Sequence, residues 1–420
     1  MFLIYRILIN LIILFSPLIV LVRIIKNKED KFRFKEKFCF FSKKRVSGKL
    51  IWLHGASVGE LLSLIPLIYK LEKNPSISQI LVTTNTLSSS KVFKKYKFKK
   101  TIHQFFPIDI FFLANKFLKY WNPHTSIFVD SEIWPCMTIS LKEKNIPLIL
   151  LNARITKKSF KRWSKFNSFA KYIFSKITIA YPQNKETKKF LKNFKVKKLK
   201  EIGNIKLIEN IQDKKDNINS NLNSHFKKYK IWTAASTHEN EEIFCARTHI
   251  ELKKKIKNLL TIIIPRHIDR VNEIFDQIQK MNLKIVTHSS KSKSLNNVDI
   301  YIVDTFGETK KFFKISNSVF MGGTIAQKGG QNPLEAARYG SKIFHGPNID
   351  NFQDVFRLLK RFNISKKVRS PKILAYSISF NKKTKGALKL KKIGRLILKK
   401  TLKELKPFIE NEPKKTKILG

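Results

Sequence analysis

Cysteine is scarce in this chain. Cys39, Cys136 and Cys245 stand far apart, and no C-x-x-C pair occurs. Small disulfide-stabilised domains and zinc ribbons need clustered cysteines, so both classes are excluded. Three widely spaced cysteines are typical of a protein that works in a reducing compartment.

Two nucleotide-binding fingerprints are also absent. No G-x-G-x-x-G follows the first predicted strand, which argues against a Rossmann NAD enzyme, and no G-x-x-x-x-G-K-[ST] occurs, which excludes a P-loop. The His, Cys and Asp residues show no metal-ligand spacing, so the sequence predicts no bound metal.

Acidic residues are few, with 30 Asp and Glu against 84 Lys and Arg, and the net charge is +54. The electrostatic field of so positive a protein favours anionic partners, such as nucleic acid, phosphorylated substrates or anionic lipid. A genome-wide compositional bias would also produce it, because the lysines are spread along the whole chain together with many Ile, Asn and Phe residues. No RNP, zinc-finger or recognition-helix pattern accompanies the charge, so a nucleic-acid partner is not predicted.

The N-terminus is almost continuously apolar, and basic residues follow it directly. About 20 apolar residues are enough to cross a bilayer core, so residues 1–24 are predicted as a membrane-anchor helix. No small-x-small cleavage site follows the run, which disfavours a signal peptide. The basic flank predicts that the body of the protein lies on the cytoplasmic side of this membrane. Arg6 and Pro17 leave open a helix that lies in the interface instead of spanning.

Beyond residue 45, short apolar strands alternate with amphipathic helices, which predicts an α/β fold with parallel sheets covered on both faces. A polar, Asn- and Lys-rich stretch divides the alternation into two halves, each predicted as a doubly wound, Rossmann-like domain. The basic C-terminal helix either packs across both halves or lies on lipid. The predicted boundaries are 35–208 for the first domain, 209–229 for the linker, 230–380 for the second domain and 381–410 for the basic helix.

Ligands of such folds bind at the carboxyl ends of the strands, and the polar motifs lie there. In "HGASVGE", Glu60 opens a helix, either as a partner of the helix dipole or as a general base in a cleft. In "DSEIWP", Asp130 and Glu132 end a strand, either as an N-cap network or as functional groups. Trp134-Pro135 is predicted to start the next helix.

Three later motifs suit a phosphorylated ligand. In "ASTHENEE", Ser236 and Glu239 are predicted as a capping box, whose free amides could also hold a phosphate. In "IIIPRH", Arg266 stands where a guanidinium can bind phosphate or carboxylate. In "GGQNPLE", Pro333 suits the start of a helix, and Glu335 could accept hydrogen bonds from the two hydroxyls of a ribose.

Together these stretches resemble the 3-deoxy-D-manno-octulosonic acid (Kdo) transferases of lipopolysaccharide assembly. The resemblance runs from the N-terminal anchor to about residue 360. It is carried by "HGASVGE", "DSEIWP", "LNARITKKS", "GNIK", "STHENEE", "PRH", "FGE" and "GGQNPLE", in the order of that family.

The resemblance implies a GT-B fold and an inverting, metal-free glycosyltransferase. The implied partners are CMP-Kdo as donor, a lipid A precursor (lipid IVA) as acceptor, and inner-membrane lipid. Glu60 corresponds to the general base, and Glu132 and Lys206 to groups that stabilise the transition state. Residues implied to contact CMP-Kdo are Ser236, Thr237, Pro265, Arg266, Phe306, Gly307, Glu308, Asn332, Pro333, Leu334 and Glu335, with Arg266 on phosphate and the last four around the ribose.

The sequence departs from the family pattern at a few places. Asp130 and Ser131 stand where Glu and Thr are more usual, Gln331 where His is common, and Phe306 where Met is frequent. None of these differences removes an implied catalytic group. Two alternatives stay open: another GT-B nucleotide-sugar transferase with a membrane-lipid acceptor, or a non-enzymatic, basic membrane-surface binding protein.

Overall fold

A computed structural model describes residues 16–26, 28–209, 218–290, 296–380 and 385–410. The chain forms two compact units, residues 1–210 with 394–420, and residues 211–393. Each unit is built around its own parallel sheet.

The described part of the first unit contains a sheet of six strands in the order β3-β2-β1-β4-β5-β6. All adjacent strands are parallel. The chain runs outward from β1 in one direction and from β4 in the other, so the order reverses between β1 and β4. The bounds are β1 Leu50–His54, β2 Gln79–Thr84, β3 Thr101–Phe105, β4 Thr125–Val129, β5 Leu148–Ala153 and β6 Ile179–Pro182.

These strands form because their apolar runs are buried on both faces. Every residue of β1, β2, β4 and β5 is buried. In the core beside β1, the ring of Trp52 lies 4.8 Å from that of Phe117 and 4.9 Å from that of Phe128. The helices around this sheet are Val58–Leu71, Leu87–Phe93, Phe111–Trp121, Pro135–Glu143, Lys157–Ser164, Asn167–Phe174 and Lys185–Asn193, with short 3-10 turns at Arg33–Phe38 and Ile205–Leu207.

The second unit has a sheet of seven strands in its described part, in the order β13-β12-β11-β7-β8-β10-β9. It is parallel throughout, and its order reverses between β7 and β11. The bounds are β7 Lys230–Thr237, β8 Leu259–Pro265, β9 Ile285–Thr287, β10 Ile300–Ile302, β11 Ser318–Met321, β12 Lys342–His345 and β13 Ser365–Lys367.

Helices connect these strands as the alternation predicts. They are Glu241–Lys253, Val271–Gln279, Thr309–Ile315, Leu334–Arg338, Gln353–Arg361 and Pro371–Ser377, with a 3-10 turn at Ile268–Arg270. The stretch 209–229, predicted as a linker, contains the helix Ser220–Phe226. Its Leu222 and Phe226 are buried against the sheet core, which explains why a polar segment is helical there.

The basic C-terminal helix spans Gly386–Glu410. Its residues from 394 onward belong to the first unit. Lys49 Nζ donates to the carbonyl of Ile409 over 2.7 Å, and Lys200 Nζ pairs with Glu404 over 2.8 Å. Leu405 and Ile409 are buried. This part of the helix therefore packs on protein.

At the N-terminus, residues 16–25 are helical, with exposed apolar side chains that include Leu18 and Ile25. Most of the predicted anchor, residues 1–15, lies outside the described residues. Within the described ranges, no helix combines the length and apolar character needed to cross a bilayer.

Candidate active site

The first candidate site lies where the order of the first sheet reverses. β1 ends at His54, and the helix Val58–Leu71 begins three residues after Gly55. Ser57 and Glu60 cap this helix reciprocally: Ser57 Oγ accepts from the Glu60 amide over 3.4 Å, and Glu60 Oε2 accepts from the Ser57 amide over 3.2 Å. The cap fixes a half-buried carboxylate at the carboxyl end of the sheet.

The environment of Glu60 raises its pKa from 4.5 to about 7. Burial is the largest cause, followed by the negative charges of Glu132 and Asp130; the Ser57 amide and the charge of Lys206 act in the opposite direction. A carboxyl group with a pKa near the working pH exchanges protons readily, which is what a general base requires. The two hypotheses for Glu60 are thus not exclusive, since it caps the helix and also faces the acidic cluster.

Lys206 and Asp130 form an ion pair beside Glu60. Asp130 follows β4 with a left-handed φ of 60°, and the Lys206 ammonium pairs with its Oδ2 atom. Asn152 Nδ2 donates to Asp130 Oδ1 over 2.6 Å, and Asn152 Oδ1 accepts from the Ile205 amide over 3.1 Å. Asn152 thereby joins "LNARITKKS" to "GNIK". Its contribution was not predicted, and its left-handed φ of 54° becomes apparent only in the structure.

Glu132 lies in the same cluster and is held by two donors. Trp134 Nε1 donates to Glu132 Oε2 over 2.9 Å, and His54 Nε2 lies 3.1 Å from the same oxygen. The helix after β4 begins at Pro135, with Trp134 as its N-cap, as predicted. The structure therefore brings Glu60, Glu132 and Lys206 together. Sequence reasoning missed His54, whose only signal was its position as the last residue of an apolar strand.

In the second unit, the predicted capping box is wrong. β7 continues to Thr237, and the next helix starts at Glu241 after Asn240 in a left-handed conformation with a φ of 68°. Glu241, fully buried, instead accepts hydrogen bonds from five backbone amides. The donors are His238, Gly323, Thr324, Ile325 and Ala326, over 2.6 to 3.2 Å.

Glu241 therefore shapes the glycine-rich loop after β11. This loop also lies very close to the end of β7, since a Cβ atom on Gly322 would come within 2.1 Å of the Ser236 carbonyl oxygen. Only glycine fits such an approach. Ser236 itself has a left-handed φ of 55°, where the register between β7 and β8 shifts.

Pro265 and Arg266, two residues predicted to contact CMP-Kdo, lie at the carboxyl end of β8, next to the end of β7. The Arg266 amide donates to the Thr237 carbonyl over 2.9 Å, which joins "STHE" to "PRH", and the side chain of Arg266 is exposed. Pro265, the last residue of β8, is buried. An exposed guanidinium at this edge is available to an anionic ligand.

A histidine that was not predicted lies among these residues. His238 Nε2 is 3.4 Å from Gln331 Nε2, and its ring lies 5.8 Å from that of His267. Its pKa is lowered, first by burial, although the nearby charge of Glu241 opposes this. Gln331, one of the departures from the family pattern, thus contacts a ring whose burial favours the neutral form.

Two further predicted stretches follow β10 and β11. Lys310 Nζ lies 3.8 Å from Glu335, and Glu308 pairs with Lys311 over 2.7 Å. Phe306 is 77% exposed. The helix after the glycine loop spans Leu334–Arg338, with Pro333 as N-cap. Pro333 therefore stands one position before the helix start, and Asn332 Oδ1 accepts from the Leu334 amide over 3.1 Å.

Comparison with known proteins agrees with the family resemblance. A family model described as 3-Deoxy-D-manno-octulosonic-acid transferase (kdotransferase) matches residues 32–208. A 3-deoxy-D-manno-octulosonic acid transferase of Rickettsia felis is 34% identical over 368 residues, which cover 87% of this chain and 76% of that protein. The chain belongs to the Kdo transferase family. A relative with the same description from Haemophilus influenzae is 30% identical and covers 74% of this chain and 73% of its own length.

Solved structures support the fold. A putative UDP-N-acetylglucosamine 2-epimerase from Listeria monocytogenes has a TM-score of 0.57 at 12% identity, covering 87% of this chain and 99% of that one. A glycosyltransferase from Rickettsia africae has a TM-score of 0.56 at 12% identity, covering 87% and 100%. The predicted GT-B type of fold, with two Rossmann-like domains, is confirmed. Family membership also decides for a glycosyltransferase over the non-enzymatic alternative.

Proposed function

We propose that this enzyme transfers Kdo from CMP-Kdo to a lipid A precursor and inverts the anomeric centre. Family membership supports the transfer of Kdo in lipopolysaccharide synthesis. The observation that carries the mechanism is Glu60, a half-buried carboxyl group whose pKa of about 7 suits a general base.

In the proposed step, the acceptor hydroxyl oxygen forms a bond to the anomeric carbon of Kdo. The bond from that carbon to the phosphate oxygen breaks, and CMP leaves with the electron pair. Glu60 takes the proton of the hydroxyl. The family resemblance implies that no metal takes part, so a chelator should leave the initial rate unchanged.

Lys206 and Glu132 are the other two residues proposed to act in catalysis in the first unit, beside Glu60. The Lys206 ammonium opposes negative charge on the sugar carboxylate or on the leaving phosphate. Asp130 fixes this ammonium through its ion pair, and the Glu132 carboxylate maintains the negative surroundings of Glu60. Two negative groups and one cation thus surround the base.

The donor nucleotide is proposed to bind the second unit. Arg266 would contact the phosphate, Glu335 the ribose hydroxyls, and Ser236 and Thr237 the phosphate or sugar carboxylate. Supporting this, Arg266 and Thr237 are joined by a backbone hydrogen bond at the ends of β7 and β8, and Glu335 opens a helix after the glycine loop.

We expect Arg266→Ala to weaken CMP binding by about tenfold or more, because a hydrogen bond to a charged group contributes about 1.5–3 kcal/mol. Isothermal titration calorimetry with CMP measures the effect. Arg247→Ala is the matched control, since Arg247 is another exposed arginine of the same unit. Unchanged CMP affinity in folded Arg266→Ala would contradict the phosphate contact.

Product analysis tests the function as a whole. Purified protein, CMP-Kdo and a tetra-acylated lipid A precursor should give a product whose mass has increased by Kdo, and CMP should inhibit the reaction whereas UDP should not. Transfer from a UDP-sugar, with inhibition by UDP, would favour the alternative GT-B transferase.

We also propose that residues 1–24 attach the enzyme to the inner membrane with its body on the cytoplasmic side. The apolar sequence supports this, as do the exposed apolar side chains of residues 16–25. Deletion of 1–24 should release much of the protein from the membrane fraction and spare activity on detergent-dispersed acceptor. Release should be incomplete at low salt, because each basic residue near an anionic surface contributes about 1 kcal/mol. A full-length protein that fractionates as soluble would contradict the proposal.

A further inference from the structure

His54 is a fully buried histidine placed between two polar groups. On one side, its Nδ1 atom lies 2.9 Å from Thr83 Oγ1 and 3.1 Å from the Thr83 carbonyl oxygen. On the other side, its Nε2 atom lies 3.1 Å from Glu132 Oε2. Aromatic rings pack around it: the Phe106 ring at 4.1 Å and the Phe128 ring at 5.0 Å.

The neighbours of His54 determine which nitrogen carries the proton. Trp52 Nε1 donates to Thr83 Oγ1 over 2.9 Å, so the Thr83 hydroxyl is free to donate its own hydrogen to Nδ1. The Thr83 carbonyl already accepts from the Gly55 amide over 3.1 Å. An Nε2 lone pair facing a carboxylate would be repelled, so Nε2 carries a hydrogen and donates it to Glu132 in the neutral ring as well as in the imidazolium.

A chain of donors therefore ends on a single oxygen of Glu132. His54 and Trp134 both donate to Oε2, which fixes the orientation of the carboxylate and leaves Oε1 as the oxygen that neither donor holds. Glu60 lies near enough to feel the charge of this carboxylate, and Asp130 and its ion-pair partner Lys206, on the 3-10 turn Ile205–Leu207, also act on Glu60. A carboxylate that could rotate would change its distance from Glu60 and therefore the strength of the repulsion between the two groups.

We propose that His54 is a positioning residue of the transfer reaction, which holds the Glu132 carboxylate beside Glu60 through a hydrogen-bond chain that begins at Trp52 and Thr83. The proposal rests on the proposed role of Glu60 as the general base. His54 acts through Glu132 and touches neither substrate.

The second unit contains a natural control. His249 is also fully buried, its Nδ1 atom lies 2.9 Å from Thr261 Oγ1, and its Nε2 atom lies 3.3 Å from Asp299 Oδ1. Asp299 precedes β10, so this carboxylate lies at the amino end of its sheet, and Lys253 also pairs with it. Both hydrogen-bond chains run from a threonine hydroxyl through a fully buried histidine to a carboxylate, yet only that of His54 ends at a proposed catalytic group.

The test compares pH–rate profiles of His54→Leu, His54→Gln, Trp134→Phe and His249→Leu with that of the wild type, with CMP-Kdo and a tetra-acylated lipid A precursor. His54→Leu should lower kcat by up to about 10²-fold, the cost of a displaced catalytic group, with the KM for CMP-Kdo unchanged. The acidic limb of its pH–rate profile should also move to lower pH, because protonation of Glu132 removes the negative charge that raises the pKa of Glu60, and rotation of the carboxylate away from Glu60 weakens its effect. Gln offers an amide N–H near the Nε2 position, so His54→Gln should restore most of kcat and return the limb toward that of the wild type.

Trp134→Phe removes the other donor and should move the limb in the same direction as His54→Leu, which keeps the test valid if His54→Leu does not fold. His249→Leu should lower the melting temperature without moving the limb. A normal profile in folded His54→Leu, or in Trp134→Phe where the former is unfolded, would overturn the proposal, as would an equal shift in His249→Leu. Glu60→Gln separates the proposed role of Glu60 from that of His54. Normal turnover of Glu60→Gln would overturn the general base itself. An inactive Glu60→Gln together with a normal His54→Leu would overturn only the role of His54.

Discussion

Glu60→Gln should lower kcat by about 10²–10⁴-fold, the range of general-base catalysis, and leave CMP affinity near that of the wild type. Glutamine keeps the shape of the side chain, and its carbonyl oxygen can still accept the hydrogen bond from the Ser57 amide, so the helix cap is retained. What disappears is the group that takes the proton. Turnover and CMP titration of the same variant measure the two effects.

The stability of this variant should depend on pH in a defined direction. The pKa of Glu60 is about 7 in the folded protein against 4.5 in an unfolded chain, so the folded state binds more protons between these values. The contribution of Glu60 to wild-type stability therefore falls as the pH rises through this window. Glutamine does not ionise, so the melting temperature of the variant relative to the wild type should increase from about pH 5 to about pH 8.

A purely structural Glu60 would behave differently. As a partner of the helix dipole, its replacement would cost about 0.3–1 kcal/mol of stability and little activity. Glu186→Gln is the matched control, because Glu186 also lies in the first turn of a helix, away from the acidic cluster. Near-normal turnover of Glu60→Gln would contradict the catalytic assignment.

The sequence predicted the strand-to-helix turns well because the signal for them is local. An apolar run that stops at His54, followed by Gly55 and a helical pattern, identifies the carboxyl end of β1. β3 was missed because "TIHQF" is polar, and its buried Thr101 is stabilised by a hydrogen bond of 2.8 Å to Glu72. β13, "SKK", has no apolar pattern and was missed for the same reason.

The electrostatics of the site could not be predicted, because they depend on sheet order. Glu60 meets Glu132 only because β1 and β4 are neighbours, and His54 and Glu132 are 78 positions apart in the chain. Local spacing therefore left the two hypotheses for Glu60 open. The family resemblance indicated Glu132 and Lys206 by motif, but it did not indicate their partners, His54 and Asn152.

The failed capping box has the same cause. Ser236-x-x-Glu239 satisfies the local rule, yet β7 extends to Thr237 and the carboxylate that matters is Glu241. That carboxylate binds amides 82 to 85 positions away. The hydrogen bonds of Glu241 to the distant glycine-rich loop thus determine the structure here, and the local capping pattern does not.

Glu241→Gln should strongly affect both stability and donor binding in the second unit. Oε1 accepts from Thr324, Ile325 and Ala326, and Oε2 accepts from Gly323 and His238. A glutamine places an NH₂ group at one of these positions, so at least two buried amides lose their acceptor and face another donor. Each unsatisfied buried donor costs about 1–3 kcal/mol, so we expect a loss of about 2–6 kcal/mol.

The functional consequence follows from the loop that these amides belong to. Without its anchor, the loop after Gly322 can leave the end of β7, and the proposed donor site should bind CMP at least about tenfold more weakly, equivalent to about 1.4 kcal/mol. Chemical denaturation and CMP calorimetry of the full-length protein measure the two losses. Glu251→Gln is the matched control, since Glu251 lies on the same helix and forms an ion pair with Lys254 at the surface. A folded Glu241→Gln with wild-type stability and CMP affinity would show that the five amides do not need a carboxylate.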